Sequence, residues 1–354
     1  DYARTWASYE LILDSNGLNF QGDADTFIVD YDTAGQSLNI VYSDSTKGWL
    51  PVSDDAVADV PTPPPTQKAI FAYGEVNGVV SVSNLVNSSG VIASDVTGVG
   101  TARNSSGSAT YGIDKAIFAY GYTGGEVSMS NLVNNSGVVA TDVTGVGTAR
   151  IIAAAEYGVG LAIFGYGEAA GTNRVSLTNL VTNLGVIGSD VTGVGTARAY
   201  IAAAGYGGDK AIFGYGTTGS VVSMSNLVSN VGVVSSDVTG VGTARFDLAA
   251  ASYGTDKAIF AYGTTGSSVS MSNLVSNSGV VASDVSGVGT ARHGPGATGY
   301  GGDKAIFAYG YSTGSSSYVS VSNLVNSSGV IASDVTGVGT ARFELGAAGF
   351  SSSA

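Results

Sequence analysis

The sequence contains no cysteine and only one histidine, His293, among its 354 residues. Without cysteine the chain can form neither a disulfide nor a thiolate metal site. One histidine cannot supply a multi-histidine zinc site, and no cysteine–histidine pair is available for nucleophilic catalysis. His293 lies in the glycine-rich stretch HGPGATG, where we expect a solvent-exposed substitution. The sequence therefore predicts no metal, no cofactor and no catalytic residue.

Charge is also scarce, because only 12% of the residues are charged. The formal net charge is −13, and residues 1–66 carry 11 acidic against 2 basic side chains. No basic stripe is present to neutralise phosphates, so we expect no nucleic-acid partner. The chain also has no run of 18 apolar residues, and we expect no membrane insertion.

Glycine, in contrast, is abundant, with 53 copies. Six copies of Ala-Ile-Phe begin at residues 69, 116, 162, 211, 258 and 305, with spacings of 47, 46, 49, 47 and 47. A repeat of this length with strand-like content is typical of solenoids and propellers. Within the unit 245–291, turn residues separate four runs, which we name strands a (245–253), b (257–263), c (269–275) and d (280–285).

The two ends of the repeat array suggest how it closes. The first repeat begins at Lys68 on strand b and has no strand a, whereas an additional strand a follows the last repeat at 342–350. A 1+3 blade shared by the two ends would close a ring and remove its open edge. We therefore predict an all-β fold, with a six-bladed β-propeller of four-stranded blades. A β-solenoid or an interwoven fibre is the alternative.

The N-terminal segment differs from the repeats. Short alternating runs separated by turn residues predict a small acidic antiparallel β-domain at 1–56, followed by a Pro-rich linker at 57–67 and the propeller at 68–354. The acidic pairs Asp23/Asp25 and Asp30/Asp32 could supply calcium ligands, but no twelve-residue oxygen-ligand loop surrounds them.

The unit TARFDLAAASYGTDKAIFAYG…NLVSNSGVVASDVSGVGTAR resembles a kelch repeat over residues 68–350. It has Ala-Tyr-Gly or Gly-Tyr-Gly where that family has a double glycine, and valine where the family usually has tryptophan. The resemblance implies a propeller and little about function, since such propellers include binding modules and enzymes. The stretch TFIVDYDTAGQSLNIVYSDSTKGWLPV resembles short β-modules of bacteriophage fibres, and the repeats resemble those of phage structural proteins.

Most of the basic residues recur at repeat positions. Each repeat arginine lies eight residues after an aspartate, which gives the pairs Asp95 and Arg103, Asp142 and Arg150, Asp190 and Arg198, Asp237 and Arg245, Asp284 and Arg292, and Asp334 and Arg342. An aspartate can accept hydrogen bonds from turn N–H groups and pair with an arginine. We interpret these residues as structural elements that fix the d-to-a crossover.

Candidate ligand-binding residues lie in the loops between strands b and c, which vary between repeats while the TGVGTAR crossover barely changes. These loops carry Tyr122, Glu126, Glu168, Asn173, Arg174, Tyr311 and Tyr318. Aromatic rings with nearby amide and charged groups suit sugar or protein recognition. Relaxed variation in exposed loops is the alternative interpretation.

These observations lead to a functional hypothesis. We expect a non-enzymatic viral structural protein, a fibre or appendage subunit of the virion. Its N-terminal domain would contact other virion proteins or form a homo-oligomer, and its propeller would bind a host-surface glycan or protein. A secreted or surface-bound bacterial lectin-like adhesin is the alternative. A propeller hydrolase or lyase is weaker, because the acids outside the repeat pattern (Glu75, Glu126, Glu156, Glu168, Asp247 and Glu344) are scattered in the sequence.

Overall fold

The structure is a computed structural model that describes residues 5–9, 11–22, 29–31, 33–53 and 66–353. The chain divides into two compact units, Asp1–Pro63 and Pro64–Ala354. The fold is all-β, with 43% of the residues in strands arranged as many small antiparallel sheets. Within the described ranges there is no α-helix, and hence no helix suited to crossing a membrane. Most of the predicted linker and Asp23, Asp25 and Asp32 lie outside these ranges, and the side chain of Asp30 is also not described.

The N-terminal unit contains two small antiparallel ladders. Strand β1 (Leu11–Leu13) pairs with β2 (Val29–Tyr31), and β3 (Asn39–Asp44) pairs with β4 (Gly48–Ser53). Tyr42 and Trp49 pack edge to face across β3 and β4, with ring centroids 5.5 Å apart. The alternating runs of the sequence therefore do form strands in the described part of this segment.

The second unit contains the repeats. Its strands are β5 (Lys68–Ala72), β6 (Ser83–Val86), β7 (Gly107–Tyr111), β8 (Lys115–Ala119), β9 (Ser130–Val133), β10 (Arg150–Tyr157), β11 (Leu161–Ala169), β12 (Asn173–Arg174), β13 (Thr178–Val181), β14 (Ala202–Tyr206), β15 (Lys210–Gly214), β16 (Ser225–Val228), β17 (Ala249–Tyr253), β18 (Lys257–Ala261), β19 (Ser272–Val275), β20 (Gly296–Tyr300), β21 (Lys304–Ala308), β22 (Tyr311–Ser312), β23 (Ser317–Tyr318), β24 (Ser322–Val325) and β25 (Gly346–Phe350). A short 3₁₀ turn, Ala170–Thr172, precedes β12.

Each repeat folds into an antiparallel sheet of strands a, b and c, for example β17–β18–β19. The first repeat takes its strand a from the far end of the chain, since β25 pairs with β5 from Gly346 opposite Ala72 to Phe350 opposite Lys68. The additional strand a of the sequence therefore pairs with the strand b that lacks one.

The predicted fourth strand is not continuous. In the repeat of β17–β19, segment d meets strand c only through the isolated bridges Val275 to Val281 and Ser272 to Val285. Between these bridges the buried Asn273 donates its Nδ2 to the carbonyl oxygen of Ala282 at 3.0 Å and to Asp284 Oδ1 at 2.9 Å. The asparagine side chain thus takes hydrogen bonds that a regular ladder would leave to backbone groups.

The b strands form the core, with Ala, Ile and Phe of nearly every copy fully buried. A tyrosine follows each one, at Tyr73, Tyr120, Tyr166, Tyr215, Tyr262 and Tyr309, with φ between 60° and 66°. This left-handed backbone is costly for a bulky residue unless its surroundings hold it in place. Each ring packs against the b-strand phenylalanine of another repeat, as Tyr166 does against Phe213 at 5.1 Å.

The repeat arginines connect neighbouring sheets. Arg198 is fully buried, and its guanidinium lies 4.5 Å from the ring centroid of Tyr166 in the preceding repeat. It donates from Nε to the carbonyl of Tyr215 at 3.0 Å and from Nη2 to Asn226 Oδ1 at 2.6 Å, both in the repeat that begins at Arg198. All six arginines stack in this way, with distances from 3.9 to 4.9 Å. Such buried cation–π contacts are strongly stabilising, although Nε of Arg103 and of Arg292 has no hydrogen-bond partner within the described residues.

The aspartates take part in the same network, but with a different arginine from the one eight residues later. Asp237 lies 3.8 Å from Arg198, which begins the same repeat, and accepts hydrogen bonds from Thr196 N at 3.1 Å and Thr196 Oγ1 at 2.6 Å, at the end of the preceding repeat. Burial raises the pKa of Asp237, but hydrogen bonds from Thr196 and Asn226 outweigh it, so the pKa lies below 3.8. Asp237 therefore holds the arginine of its own repeat, and its bonds to Thr196 fix the crossover that arrives from the preceding sheet.

Replacing Asp237 with alanine should destabilise the fold. The variant leaves the Thr196 N–H and the Asn226 amide without their acceptor, so we expect the free energy of unfolding to fall by about 1–3 kcal/mol. Chemical denaturation at pH 7 measures this loss. The control is Asp209→Ala, which removes an exposed ion pair with Lys210 and should change stability by about 0.5 kcal/mol or less.

The same pair of proteins gives a pH test. The folded-state pKa of Asp237 is lowered, so its contribution is present above the unfolded pKa and is lost as pH falls through the folded pKa. The difference in stability between Asp237→Ala and the parent should therefore shrink below about pH 4. A constant difference down to pH 2 would contradict this role for the carboxylate.

Candidate functional site

The residues two positions after the repeat arginines come together at one pocket. They are Ser105, Ile152, Tyr200, Asp247, Gly294 and Glu344. The cavity has a volume of about 110 Å³, and all six repeats contribute to its lining. We call it the shared pocket. Unlike the alanines and glycines farther along strand a, these six residues differ in every repeat.

Backbone hydrogen bonds tie these positions to one another. In each bond, the N–H of one residue donates to the carbonyl oxygen of the equivalent residue in a neighbouring repeat. The bonds run from Ser105 to Glu344 (2.8 Å), Glu344 to Gly294 (2.8 Å), Gly294 to Asp247 (2.7 Å), Asp247 to Tyr200 (3.0 Å) and Ile152 to Ser105 (3.4 Å). Ser105, Tyr200, Asp247 and Glu344 have φ between 51° and 56°. Left-handed non-glycine residues cluster at functional sites, where the surrounding structure holds them in place.

A carboxylate cluster lies at the mouth of the pocket. The buried Asn104 donates its Nδ2 to Glu75 Oε2 at 2.7 Å and to Glu344 Oε2 at 2.8 Å. Ser105 Oγ also donates to Glu344 Oε2, at 2.8 Å. Glu75 and Glu344 lie near opposite ends of the repeat array in the sequence, yet both accept a hydrogen bond from the side-chain amide of Asn104. The expectation that the acids outside the repeat pattern are scattered is therefore wrong for Glu75 and Glu344.

Glu344 and Asp247, which both line the pocket, lie in surroundings that favour their neutral forms. Burial raises the pKa of Glu344, and the Glu75 charge adds to this while a hydrogen bond from Ser105 opposes it. Burial, and then the charge of Glu344, raise the pKa of Asp247 well above its usual value. Both side chains keep some contact with solvent, but the pocket walls replace most of their water shell.

Polar groups inside the pocket lack partners. Ser106 is only 7% exposed and lines the cavity, and its hydroxyl has no hydrogen-bond partner within the described residues. Asn104 Oδ1 also has no hydrogen-bond partner within the described residues. Native structures leave few buried polar atoms unpaired, so each one indicates strain, water or a ligand.

The predicted b–c loop residues lie beside this pocket, because the loops pair with the segments that follow the arginines. Tyr122 bridges to Asn104, Glu168 to Ile151 and Tyr311 to His293. After burial, the charges of Glu344, Glu168 and Asp247 raise the pKa of Tyr200 to about 12, and Arg174 opposes them. Arg174 Nη2 lies 3.7 Å from Glu168 Oε2, so the two loop charges form an ion pair.

An aromatic patch forms the neighbouring surface. Tyr311 and Tyr318 pack edge to face at 5.4 Å, and Phe343 lies 5.5 Å from Tyr318 and 6.1 Å from His293. The expectation of an exposed His293 is wrong: the ring is half-buried, its Nδ1 lies 3.0 Å from Ser268 Oγ, and burial lowers its pKa from 6.5. His293 packs against Tyr311 and is largely neutral at pH 7.

Not all predicted site residues join these groups. Glu126 bridges only to Tyr122 of its own loop among the described residues, and Asn173 is exposed on β12 opposite Ala169. The sequence reasoning missed Asn104, Ser105, Ser106 and Tyr200 entirely. The six copies did contain a signal for this region, since the two residues after each arginine read NS, II, AY, FD, HG and FE.

Comparisons with known proteins identify no relative. No protein-family model matches the chain, and a search of curated proteins finds no significantly similar sequence. Within the described residues no group of three or more His, Cys, Asp or Glu side chains is arranged to hold a metal ion. The pocket, its carboxyl groups and the aromatic patch are therefore the features that bear on function.

Neutralising the pocket acids should stabilise the protein. The folded pKa of Glu344 is raised, so its ionisation between the unfolded and folded pKa values costs stability as pH rises. Glu344→Gln keeps an acceptor for Asn104 and Ser105 and removes the charge. We expect the free energy of unfolding at pH 7 to increase by about 0.5–2 kcal/mol, as measured by thermal and chemical denaturation.

The pH profile supplies the control for this prediction. Below about pH 4 both forms are neutral, so Glu344→Gln and the parent should have similar stability there. Glu126→Gln, in a b–c loop, should leave stability unchanged at both pH values. A Glu344→Gln variant less stable than the parent at pH 7 would mean that the carboxylate is structural.

Proposed function

We propose that the chain is a non-enzymatic binding protein, a fibre or appendage subunit of a bacteriophage that recognises a host-surface glycan or protein. One observation carries the binding part: the differences between repeats concentrate in the b–c loops and after the arginines, and these segments meet around a polar pocket. The virion assignment rests on the resemblance of the N-terminal segment and the repeats to phage proteins. On this proposal the N-terminal unit contacts other virion proteins or forms a homo-oligomer.

We further propose that the repeats form a closed six-bladed propeller. Three contacts between the ends of the array support this arrangement: β25 pairs with β5, Tyr309 packs 5.5 Å from Phe71, and Arg342 donates to Asn84 Oδ1 at 2.8 Å. The a strands also neighbour one another in the order β7, β10, β14, β17, β20, β25 and again β7. A closed ring has no free edge through which copies could aggregate.

A chain ending at Arg342 tests the closure. It loses β25 and leaves β5 as an unpaired edge, so we expect the whole repeat unit to unfold at a markedly lower temperature, with a loss of about 5 kcal/mol or more. Calorimetry measures the transition. A chain ending at Ser352 is the control and should match the parent. If the Arg342 truncation melts like the parent, the ring is not held by its last strand.

The binding face has its own test. Tyr318→Ala removes one ring of the aromatic patch, and we expect binding of the full chain to host cells or to an arrayed glycan to weaken about tenfold or more. Leu184→Ala is the control, because Leu184 is 76% exposed on a c–d turn away from the b–c loops. Equal loss in both variants, or none in Tyr318→Ala, would contradict recognition by this face.

A hydrolase or lyase is the second candidate, and the carboxyl groups Asp247 and Glu344 favour it. An acid with a raised pKa beside a second carboxylate is what glycosidic cleavage requires. The two functions differ in one result: an enzyme releases reducing sugar from a bound glycan, and Glu344→Gln abolishes that release while the glycan stays bound. A binding protein releases none.

A further inference from the structure

Acidic side chains outnumber basic ones around the shared pocket. The ionisable groups that face it or lie beside it are Glu75, Glu168, Asp247, Glu344, Tyr200, His293 and Arg174. Four of these are acids, and Arg174 is already paired with Glu168. His293 is held largely neutral by burial. Acids therefore outnumber bases around the pocket, in concave and partly desolvated surroundings where a bound cation would favour the ionised carboxylates.

The acceptors in the pocket suit one kind of cation. Asp247, Glu344 and Ser106, whose buried hydroxyl has no hydrogen-bond partner within the described residues, line a cavity of about 110 Å³. A primary ammonium group has three N–H donors and no acceptor, so three acceptors of this kind can satisfy it. No described group of His, Cys, Asp or Glu side chains has an arrangement fit for a metal ion, which argues against calcium. The small volume admits an amine-bearing substituent and not a whole sugar ring.

We propose that the shared pocket binds a primary ammonium group of the ligand, with Asp247, Glu344 and Ser106 as its acceptors. This inference rests on the proposed binding function and names the ligand chemistry. An amino sugar with a free amine can place its ring over the aromatic patch of Tyr311 and Tyr318 while the amine enters the pocket. A simple aliphatic diamine offers the amine without the ring, so the two sources can be separated.

Binding should also release protons. A cation beside Asp247 and Glu344 stabilises their ionised forms, whereas in the free protein their surroundings favour the neutral forms. The affinity for an aliphatic amine such as cadaverine, which stays protonated, should therefore rise as pH increases above the ordinary carboxyl range of about 4. The binding heat should vary with the ionisation heat of the buffer, which shows the number of protons released.

The experiment is calorimetric titration of the full chain at pH 7 with fully deacetylated chitotetraose, N-acetylated chitotetraose and cadaverine. We expect the deacetylated sugar to bind at least about tenfold more tightly than its acetylated counterpart, with cadaverine weaker if the ring contributes. Asp247→Asn and Glu344→Gln should each lose about tenfold or more. Asp209→Asn removes an acid of the turn between β14 and β15, outside the pocket lining, and should bind like the parent. Thermal denaturation of each variant verifies that it is folded.

The outcomes separate this inference from the proposed function. Equal binding of the two sugars, or amine binding unchanged in both acid variants, overturns the inference. So does calcium chloride that competes with the amine and raises the melting temperature, since the site would then hold a metal ion. If acetylated glycans or host cells bind and only Tyr318→Ala weakens them, the ammonium site is wrong and the binding function stands. If the chain binds no amine, glycan or cell, both are wrong.

Discussion

The stacking of a buried arginine on a strained tyrosine is the interaction on which the repeat unit depends. Each tyrosine ends a b strand in the left-handed region, where glycine would be less costly. The guanidinium that begins the next repeat covers one face of its ring, and a phenylalanine of that next repeat contacts it. Because the arginine donates to groups of its own sheet while it stacks on the tyrosine of the preceding sheet, it fixes the spacing of the two sheets. Its full burial without these partners would be prohibitively costly.

This network explains why the six copies are nearly identical in some positions and free to vary in others. The threonine, arginine, asparagine and aspartate of neighbouring repeats share hydrogen bonds, so a change in one leaves another buried group unpaired. The residue two positions after the arginine lies beyond that network and faces the shared pocket. Its side chain can change without loss of the inter-repeat contacts. Acids, a tyrosine and an isoleucine can therefore occupy equivalent sites in one pocket.

The groups that line the shared pocket reduce the stability of the fold. Two carboxyl groups with raised pKa values, a buried hydroxyl without a partner and four left-handed side-chain-bearing residues all cost stability in the absence of a ligand. In a purely structural spacer, alanine or glycine at these positions would cost less stability. In a binding site the same groups would be useful, because a ligand with complementary charge and donors would satisfy them. The aromatic patch beside it adds apolar contact area on the same face.

The sequence by itself determined the repeat length, the strands and the missing strand a of the first repeat. Glycine and asparagine turns and alternating β-branched residues act locally, so one chain segment is sufficient to predict them. It also pointed to the loop residues Tyr311 and Tyr318, whose variability was visible by comparing copies.

Only the tertiary structure decided which residues meet. The partner of Asp237 is Arg198 at the start of its own repeat and not Arg245, because the strands of one sheet pack together while the crossover carries Arg245 on to the next sheet. Segment d forms isolated bridges because a buried asparagine side chain takes its backbone acceptor. Glu75 and Glu344 share one amide donor although they lie near opposite ends of the repeats, since β25 returns to pair with β5. Such proximity arises from packing between repeats, and no local pattern of residues encodes it.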